Sequence, residues 1–501
     1  MGDATDGTDL PVLGPTAATA RDLIRFDTTN WGEGRSRGET EAAEYLGERL
    51  RALGLAPQYF ESAPRRTSVV VRVPGRRTDL PALVVHGHTD VVPADPAAWS
   101  VDPFGGEVRD GMLWGRGAVD MKDMDAMIVT AIGDILESGR LPERELVVAF
   151  FADEENGGQY GSHWLVEHHP ELFAGATEAI SEVGGYSIDV AGRRAYLLQT
   201  GEKALVWVRI VAHGPAAHGS RLVRENALTR LAEAVAAIGR HEWPVELTRT
   251  TEALLAELER LLDANPSTRS ARSGDQLDSP SAGTGDHEPG SLSEAQPSRT
   301  GSLSEAQPSR TGPLSEAQPS RRADALVART GTAAGFLLPS LRNTSNPTVL
   351  TAGYKHNVIP DRAEALIDLR PLPGQEQRVL DAIRALLPEG VELEVVRSDV
   401  GLEFPFEGRT VEAIKAVIER HDPGAPVLPY LMPAGTDNKA LSTLGITGYG
   451  FAPLRLPAEL DFPGLFHGVD ERVPLDALDF GTAVLTDFLL GVSPESASAN
   501  P

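Results

Sequence analysis

The sequence predicts an α/β protein: a mixed, largely parallel sheet with helices on both faces, interrupted by a smaller α+β unit. Three observations carry that expectation. Over the first two hundred residues, short wholly apolar runs alternate with segments of helical period, the pattern of buried parallel strands and their covering helices. Near Gly201 the alternation changes order, and from about Leu402 the first pattern returns. The second unit is therefore an insertion in the first, which predicts domain limits of 1–200 and 401–495 for the larger part and 201–400 for the smaller.

Taken in order, TAATARDLIRFDT and ETEAAEYLGERLRALG read as helices, with Gly54 where a helix C-terminus favours glycine. Residues 69–73, 82–85 and 145–152 read as strands, and MDAMIVTAIGDILESG between the last two as a helix. In such a domain chemistry sits in the loops that follow the strands. In the second unit, ALVWVRIVAHG (strand), ENALTRLAEAVAAIGR (helix), TVLTAGYKHNVIP and AEALIDLRP (strands), EQRVLDAIRALL (helix) and VELEVV (strand) follow one another. That is the β-α-β-β-α-β order of a ferredoxin-like sandwich. Within it, residues 265–322 are dominated by Ser, Gly, Pro, Arg, Asp and Glu, and SLSEAQPSRTG recurs with a period of 11 from Ser291. A proline in each copy and few apolar positions argue against a supercoiled helix and for a disordered linker.

Composition narrows the function. The 46 Lys+Arg against 72 Asp+Glu give a formal charge of -26, which repels phosphate backbones and anionic lipid and argues against nucleic-acid and membrane partners. The absence of cysteine removes disulfides, thiolate zinc sites and thiol nucleophiles, so any metal must be held by histidine and carboxylate. The N-terminus has neither the basic start nor the apolar stretch of a secretory signal, and no run approaches the ~18 apolar residues of a membrane span. A cytoplasmic protein is expected.

The chemistry-bearing residues cluster after strand-like runs. In LVVHGHTDVVP, Asp90 lies two residues beyond His88, near enough to orient its imidazole; the alternative is a surface pair. In WGRGAVDMKDMDAM, Asp120 reads either as a helix N-cap or as a carboxylate shared by two cations. FFADEENGGQYGSHWL ends an apolar strand with Asp153, Glu154 and Glu155, three acids that would crowd one another unless solvated or bound to a cation. Glu182 follows a fourth apolar run, and His467 stands in a late loop, GLFHGVDERVP. Together they supply five oxygen and nitrogen donors, and three ligands per metal with one bridge suit a two-zinc hydrolytic site, with cobalt or manganese as alternatives.

GHTDVVP, GRGAVDMK, DEENGG, SEVGG and FHGVDERVP, in this order, resemble the signature blocks of the co-catalytic zinc hydrolases that include aminoacylase, acetylornithine deacetylase, succinyl-diaminopimelate desuccinylase and glutamate carboxypeptidase. The resemblance covers nearly the whole chain outside the repeats and termini. It implies two Zn2+ per chain, one on His88, Asp120 and Glu182 and one on Asp120, Glu155 and His467, with Glu154 as general base and Asp90 orienting His88. Many relatives read Asp-Glu-Gly or Gly-Glu-Pro where this chain has SEVGG, and the ligand is assigned to its glutamate. The family's bridging aspartate often precedes a cis peptide, expected here at Asp120–Met121. The resemblance further implies a lid and dimerisation role for the inserted unit, a homodimer, and His218 in HGPAAHGS reaching the partner's oxyanion. Asn343 is implied to bind the substrate carbonyl, and Gly435 with Thr436 to cradle a substrate carboxylate. The implied activity is cleavage of an amide in a small peptide or N-acyl amino acid, of dipeptidase, carboxypeptidase or aminoacylase type. Alternatives are a biosynthetic N-deacylase, whose dicarboxylate substrate needs a cationic set the motifs do not supply, and a non-catalytic metal-binding protein.

Overall fold

A computed structural model describes residues 13–32, 34–263 and 317–491. Residues 265–316 of the expected 265–322 repeat segment, and the last residues of the expected 401–495 segment, lie outside the described residues.

The core is a ten-stranded mixed sheet. Its centre is four adjacent parallel strands in the order Thr447–Gly450, Ala176–Ser181, Ala82–His88 and Leu146–Phe151. Arg66–Val73 and Gln58–Ala63 extend one side antiparallel, and Arg193–Glu202, to which Val427–Met432 pairs in parallel, extends the other. The strands' all-apolar character follows from burial on both faces. Leu83, Val85, Leu146 and Val148 point into one core, while Val84, Val147 and Ala149 point into the other. Helices Pro15–Ile24, Lys122–Glu137 and Leu475–Leu489 fill the first; Ser162–His168 and Asn438–Ser442 cover the second. Because the four central strands run the same way, the residues that leave His88, Phe151 and Ser181 emerge along one edge of the sheet.

The chain leaves this sheet after Glu202 and returns at Leu402, whose backbone pairs with Glu202 itself. Between them lies a four-stranded antiparallel sheet ordered Thr344–Ala352, Arg362–Arg370, Leu205–His213, Val391–Asp399, covered by helices Ala227–Gly239 and Glu376–Leu386. TVLTAGYKHNVIP divides into the end of one strand and a separate short pair, Val358–Ile359 with Ala217–His218.

Two differences from the sequence reading concern the ends of the linker. Arg249–Asp263 is an amphipathic helix with leucines 254, 255, 258, 261 and 262 buried. A second helix, Ala317–Val327, begins inside the segment assigned by composition to the linker. Both contribute to the core of the large sheet and not to that of the small one, so the insertion's flanks anchor on the parent sheet beside Val427–Met432.

Candidate active site

Five side chains meet at the edge where the central strands end. His88 closes its strand, and its Nε2 lies 3.2 Å from Asp120 Oδ1 and 3.5 Å from Glu182 Oε2. His467 Nε2 lies 3.1 Å from Asp120 Oδ2 and 3.0 Å from Glu155 Oε2. Each oxygen of Asp120 thus faces a different histidine. Asp120 is not the N-cap of the following helix; Met121 occupies that position, and the Asp120–Met121 peptide is cis as expected. Glu154 Oε2 is 4.0 Å from His88 Nε2, beyond hydrogen-bond reach. Left-handed backbone occurs at His467 itself, at Asp153 just before Glu154, and at Val183 just after Glu182. Non-glycine residues adopt it at a cost, and these three lie at or next to the clustered side chains.

The electrostatics are those of too many acids in too little space. Burial, reinforced by Asp120, pushes Glu182 up to about 8, and burial with Glu182 close by drives Glu154 well above the carboxylate range. Burial also raises Glu155, with Asp120 adding to it. For His467, burial would lower the pKa, but hydrogen bonds with Asp120 and Glu155 outweigh it and lift the imidazole to about 11. Glu155 Oε1 is buried and has no hydrogen-bond partner. An unpaired buried carboxylate oxygen beside three other acids and two imidazoles fits divalent metal: the donors are all oxygen and nitrogen, and a cation would relieve the repulsion.

Behind the ligands lies a buried network that the motifs did not reveal. The carboxylate of Asp90 accepts the N–H groups of Glu154 (3.0 Å) and Glu155 (3.2 Å) and the Asn30 amide (2.8 Å). His88 Nδ1 instead meets the Asp90 backbone carbonyl at 3.0 Å, with the nearer carboxylate oxygen at 3.5 Å. Asp90 therefore braces the Glu154–Glu155 turn at least as closely as it braces His88. Asp153, the first of the three acids, turns away from the ligands to Arg66 (2.5 Å), Asn30 (3.0 Å) and the Tyr160 N–H (2.9 Å). Arg66 in turn lies 3.3 Å from Glu39, whose carboxyl is pushed up to about 9 by burial and by Asp90.

A cleft opens beside Glu154, Glu155 and His467, and three cations, Arg370, Arg397 and Lys439, line it together with Asp399, Asp437, Gly435 and Thr436. Arg397 stacks over Trp207, pairs with Asp399 at 2.7 Å, and donates to the carbonyls of Asn156 (3.0 Å) and Gly157 (3.2 Å), just past the two glutamates. Arg370 pairs with Asp368 at 2.8 Å, and Lys439 Nζ donates to the carbonyls of Lys203 (2.8 Å) and Val400 (3.0 Å). This cationic set was missed in the sequence because its members lie on separate elements with no motif in common. Thr436 donates both its N–H (3.0 Å) and its hydroxyl (2.6 Å) to buried Glu202, leaving Gly435 beside it as the cleft-lining backbone. Asn343 is fully buried with its amide spent on Gln375 (2.9 Å) and the Leu372 N–H (2.7 Å), and is not brought to the ligand cluster. His218 is exposed and bonds Ser220 at 2.8 Å.

Comparison with known proteins decides the family. The pattern of peptidase family M20/M25/M40 matches residues 84–491. The chain belongs to that family. Pig aminoacylase-1 (Sus scrofa) is 32% identical over 201 residues, which are 39% of this chain and 47% of that protein. The N-fatty-acyl-amino acid synthase/hydrolase PM20D1 of Xenopus tropicalis is 27% identical over 500 residues, covering 91% of this chain and 81% of that protein. The M20 family metallo-carboxypeptidase of Sulfolobus solfataricus superposes with a TM-score of 0.67 at 17% identity, over 95% of this chain and 99% of its own, and so shares the fold. This M20 family member is a hydrolytic enzyme. Among the described residues no helix is long and apolar enough to cross a membrane.

Proposed function

We propose that this M20 hydrolase cleaves the amide bond of a small peptide or N-acyl amino acid bearing a free carboxylate, using two divalent metal ions, with zinc as the expected ion. The observation that carries the proposal is Asp120, whose two oxygens face His88 and His467 at 3.2 and 3.1 Å, the disposition of a carboxylate shared by two ions. His88, Asp120 and Glu182 would hold one ion, and Asp120, Glu155 and His467 the other. Bound there, the ions would polarise the substrate carbonyl and ease the ionisation of water.

Glu154 is the proton carrier. It stands beside the ligands without a histidine contact of hydrogen-bond length, and burial favours its protonated form. In its ionised form, whose basicity that burial raises, it would take the proton of the attacking water and release it to the leaving amine nitrogen. The hydrogen bonds that the Glu154 and Glu155 N–H groups donate to the Asp90 carboxylate hold this turn in place. Arg370, Arg397 and Lys439, which line the cleft with Gly435, would meet the substrate carboxylate. His218 would serve as the oxyanion donor only in a homodimer, from the partner, since within one chain it is exposed and bonded to Ser220. The same set of Arg370, Arg397 and Lys439 also supports the second reading, a deacylase of dicarboxylates.

The test is a mass-spectrometric survey of dipeptides, N-acyl amino acids and succinylated or acetylated diamino acids, with chelated enzyme and with enzyme reloaded with Zn2+, Co2+ or Mn2+. Metal-dependent cleavage of carboxylate-bearing amides supports the proposal, and the cleaved set separates the two readings. Cleavage by the chelated enzyme, or none with two metals bound, contradicts it.

A further inference from the structure

Two charged residues inside the motif blocks have no role in the site as assigned. Arg116 lies four residues before Asp120 and Glu471 four residues after His467, and they are 3% and 0% exposed. Arg116 Nη1 donates to Glu471 Oε2 at 2.6 Å. The other oxygen of Glu471 accepts the N–H of Val119 at 2.7 Å and of Asp120 at 3.2 Å. The other terminal nitrogen of Arg116 donates to the carbonyls of Gly468 at 3.0 Å and His467 at 3.4 Å. One end of the pair thus grips Asp120 by its own amide, and the other grips the loop of His467 by its own carbonyl.

A buried ion pair is an inefficient way to gain stability, because desolvation offsets most of the attraction. Its value lies in geometry, and the planar guanidinium fork is the group that can hold a carboxylate and two carbonyls at once. In the loop it holds, His467 and Asp470 are both in left-handed backbone, Asp470 accepts the Ser100 N–H at 2.8 Å, and the His467 side chain is 54% exposed, its backbone held through the carbonyl that Arg116 reaches. We propose that Arg116 and Glu471 are positioning residues that hold Asp120 and His467 in register, so that the second metal meets a preformed set of ligands. The proposal rests on the two-metal reading of the site.

The experiment uses the full chain and compares Glu471→Gln, Glu471→Asp and Arg116→Lys with the parent. Metal affinity is measured by competition with a chelator, the visible spectrum of the Co2+ form is recorded, and kcat and KM are determined at limiting and excess metal. Loss of an outer hydrogen-bond partner typically weakens metal affinity about 10–100-fold. Glu471→Gln and Arg116→Lys are expected to weaken the metal equivalent held between Asp120 and His467 by that factor, and the one held between Asp120 and His88 by less. The Co2+ spectrum changes, kcat recovers with excess metal, and KM moves by less than about twofold. Glu471→Asp, which keeps the charge, is expected to fall between these variants and the parent. A role in stability alone would lower the melting temperature without splitting the two affinities. Folded variants with two parental affinities and the parental Co2+ spectrum overturn the proposal; if Glu471→Gln does not fold, Arg116→Lys and Glu471→Asp give the same readout. A parent chain that binds no metal overturns the two-metal reading, and this proposal with it.

Discussion

The acids gathered around His88 and His467 and the cations that line the adjoining cleft are satisfied in opposite ways. On the ligand side, Asp120, Glu154, Glu155 and Glu182 share two histidines, Glu155 keeps an unpaired buried oxygen, and burial raises Glu154, Glu155 and Glu182. Among the cations, Arg370, Arg397 and Lys439 each already have an intramolecular acceptor. The first group lacks charge that its own residues do not supply. The second must exchange partners to bind a carboxylate. A metal should accordingly bind with a large gain, and the substrate with a modest one, since new contacts replace existing ones.

The contrast is broken most directly at Asp120. Asp120→Ala removes the one carboxylate among the described residues that lies within 3.2 Å of both histidines and is expected to lose both metal equivalents and all measurable turnover, as read by elemental analysis and assay of the dialysed protein. A variant that keeps one tightly held metal would limit the bridging role to a single ion. Next in size is Glu154→Gln: a general base contributes about 10²–10⁴-fold, so turnover should fall by that factor with metal content close to parental. Retained turnover would remove Glu154 from the mechanism. Among the cations of the cleft the expected effect is smaller. Arg397→Met should raise KM for carboxylate-bearing substrates about tenfold, equivalent to about 1.4 kcal/mol, and change kcat by less than about threefold. A matching loss with substrates whose carboxylate is amidated would show that Arg397 acts by holding the Asn156–Gly157 turn instead.

The smallest expected effect is on pH-dependent stability. The folded protein holds the Glu39 proton until about pH 9, whereas the unfolded chain releases it near 4.5. The stability this group contributes is thus fully present below about pH 4.5 and is lost as pH rises toward 9. Glu39→Gln cannot ionise, so its melting temperature should fall less than the parent's between pH 6 and about 9 in thermal melts at stepped pH. Parallel curves would mean that Arg66 keeps Glu39 ionised throughout.

How much of this could be read from the sequence differs by region for a physical reason. The strands at 69–73, 82–85 and 145–152 were legible from their apolar runs, and His88, Glu155 and Glu182 as candidates just past such runs, whereas Asp120 and His467, in a glycine-rich turn and a loop, drew their roles from the resemblance of their blocks. The partners that tune them were not legible. Arg66 reaches Asp153 across 87 positions, and Glu202 reaches Thr436 across 234. No local pattern encodes such contacts. Thr436 shows the consequence: beside a glycine it reads as a free cradle, yet Glu202 takes both of its donors. The helices flanking the repeats show another limit. An amphipathic leucine stripe such as that of Arg249–Asp263 states that a core receives it but not which one. Arg116 and Glu471 lay within quoted motifs, and a charged residue in a glycine-rich turn four positions from a ligand was the available signal.

The most direct test of the central claim is metal stoichiometry. The dialysed chain is titrated with Zn2+ while hydrolysis of an identified substrate is followed in the same samples. Binding of two equivalents per chain, with activity rising as the sites fill and the second equivalent absent from His467→Ala, is the expected result. Full activity without metal, or two equivalents retained by His467→Ala, would contradict a site built on Asp120 between two histidines.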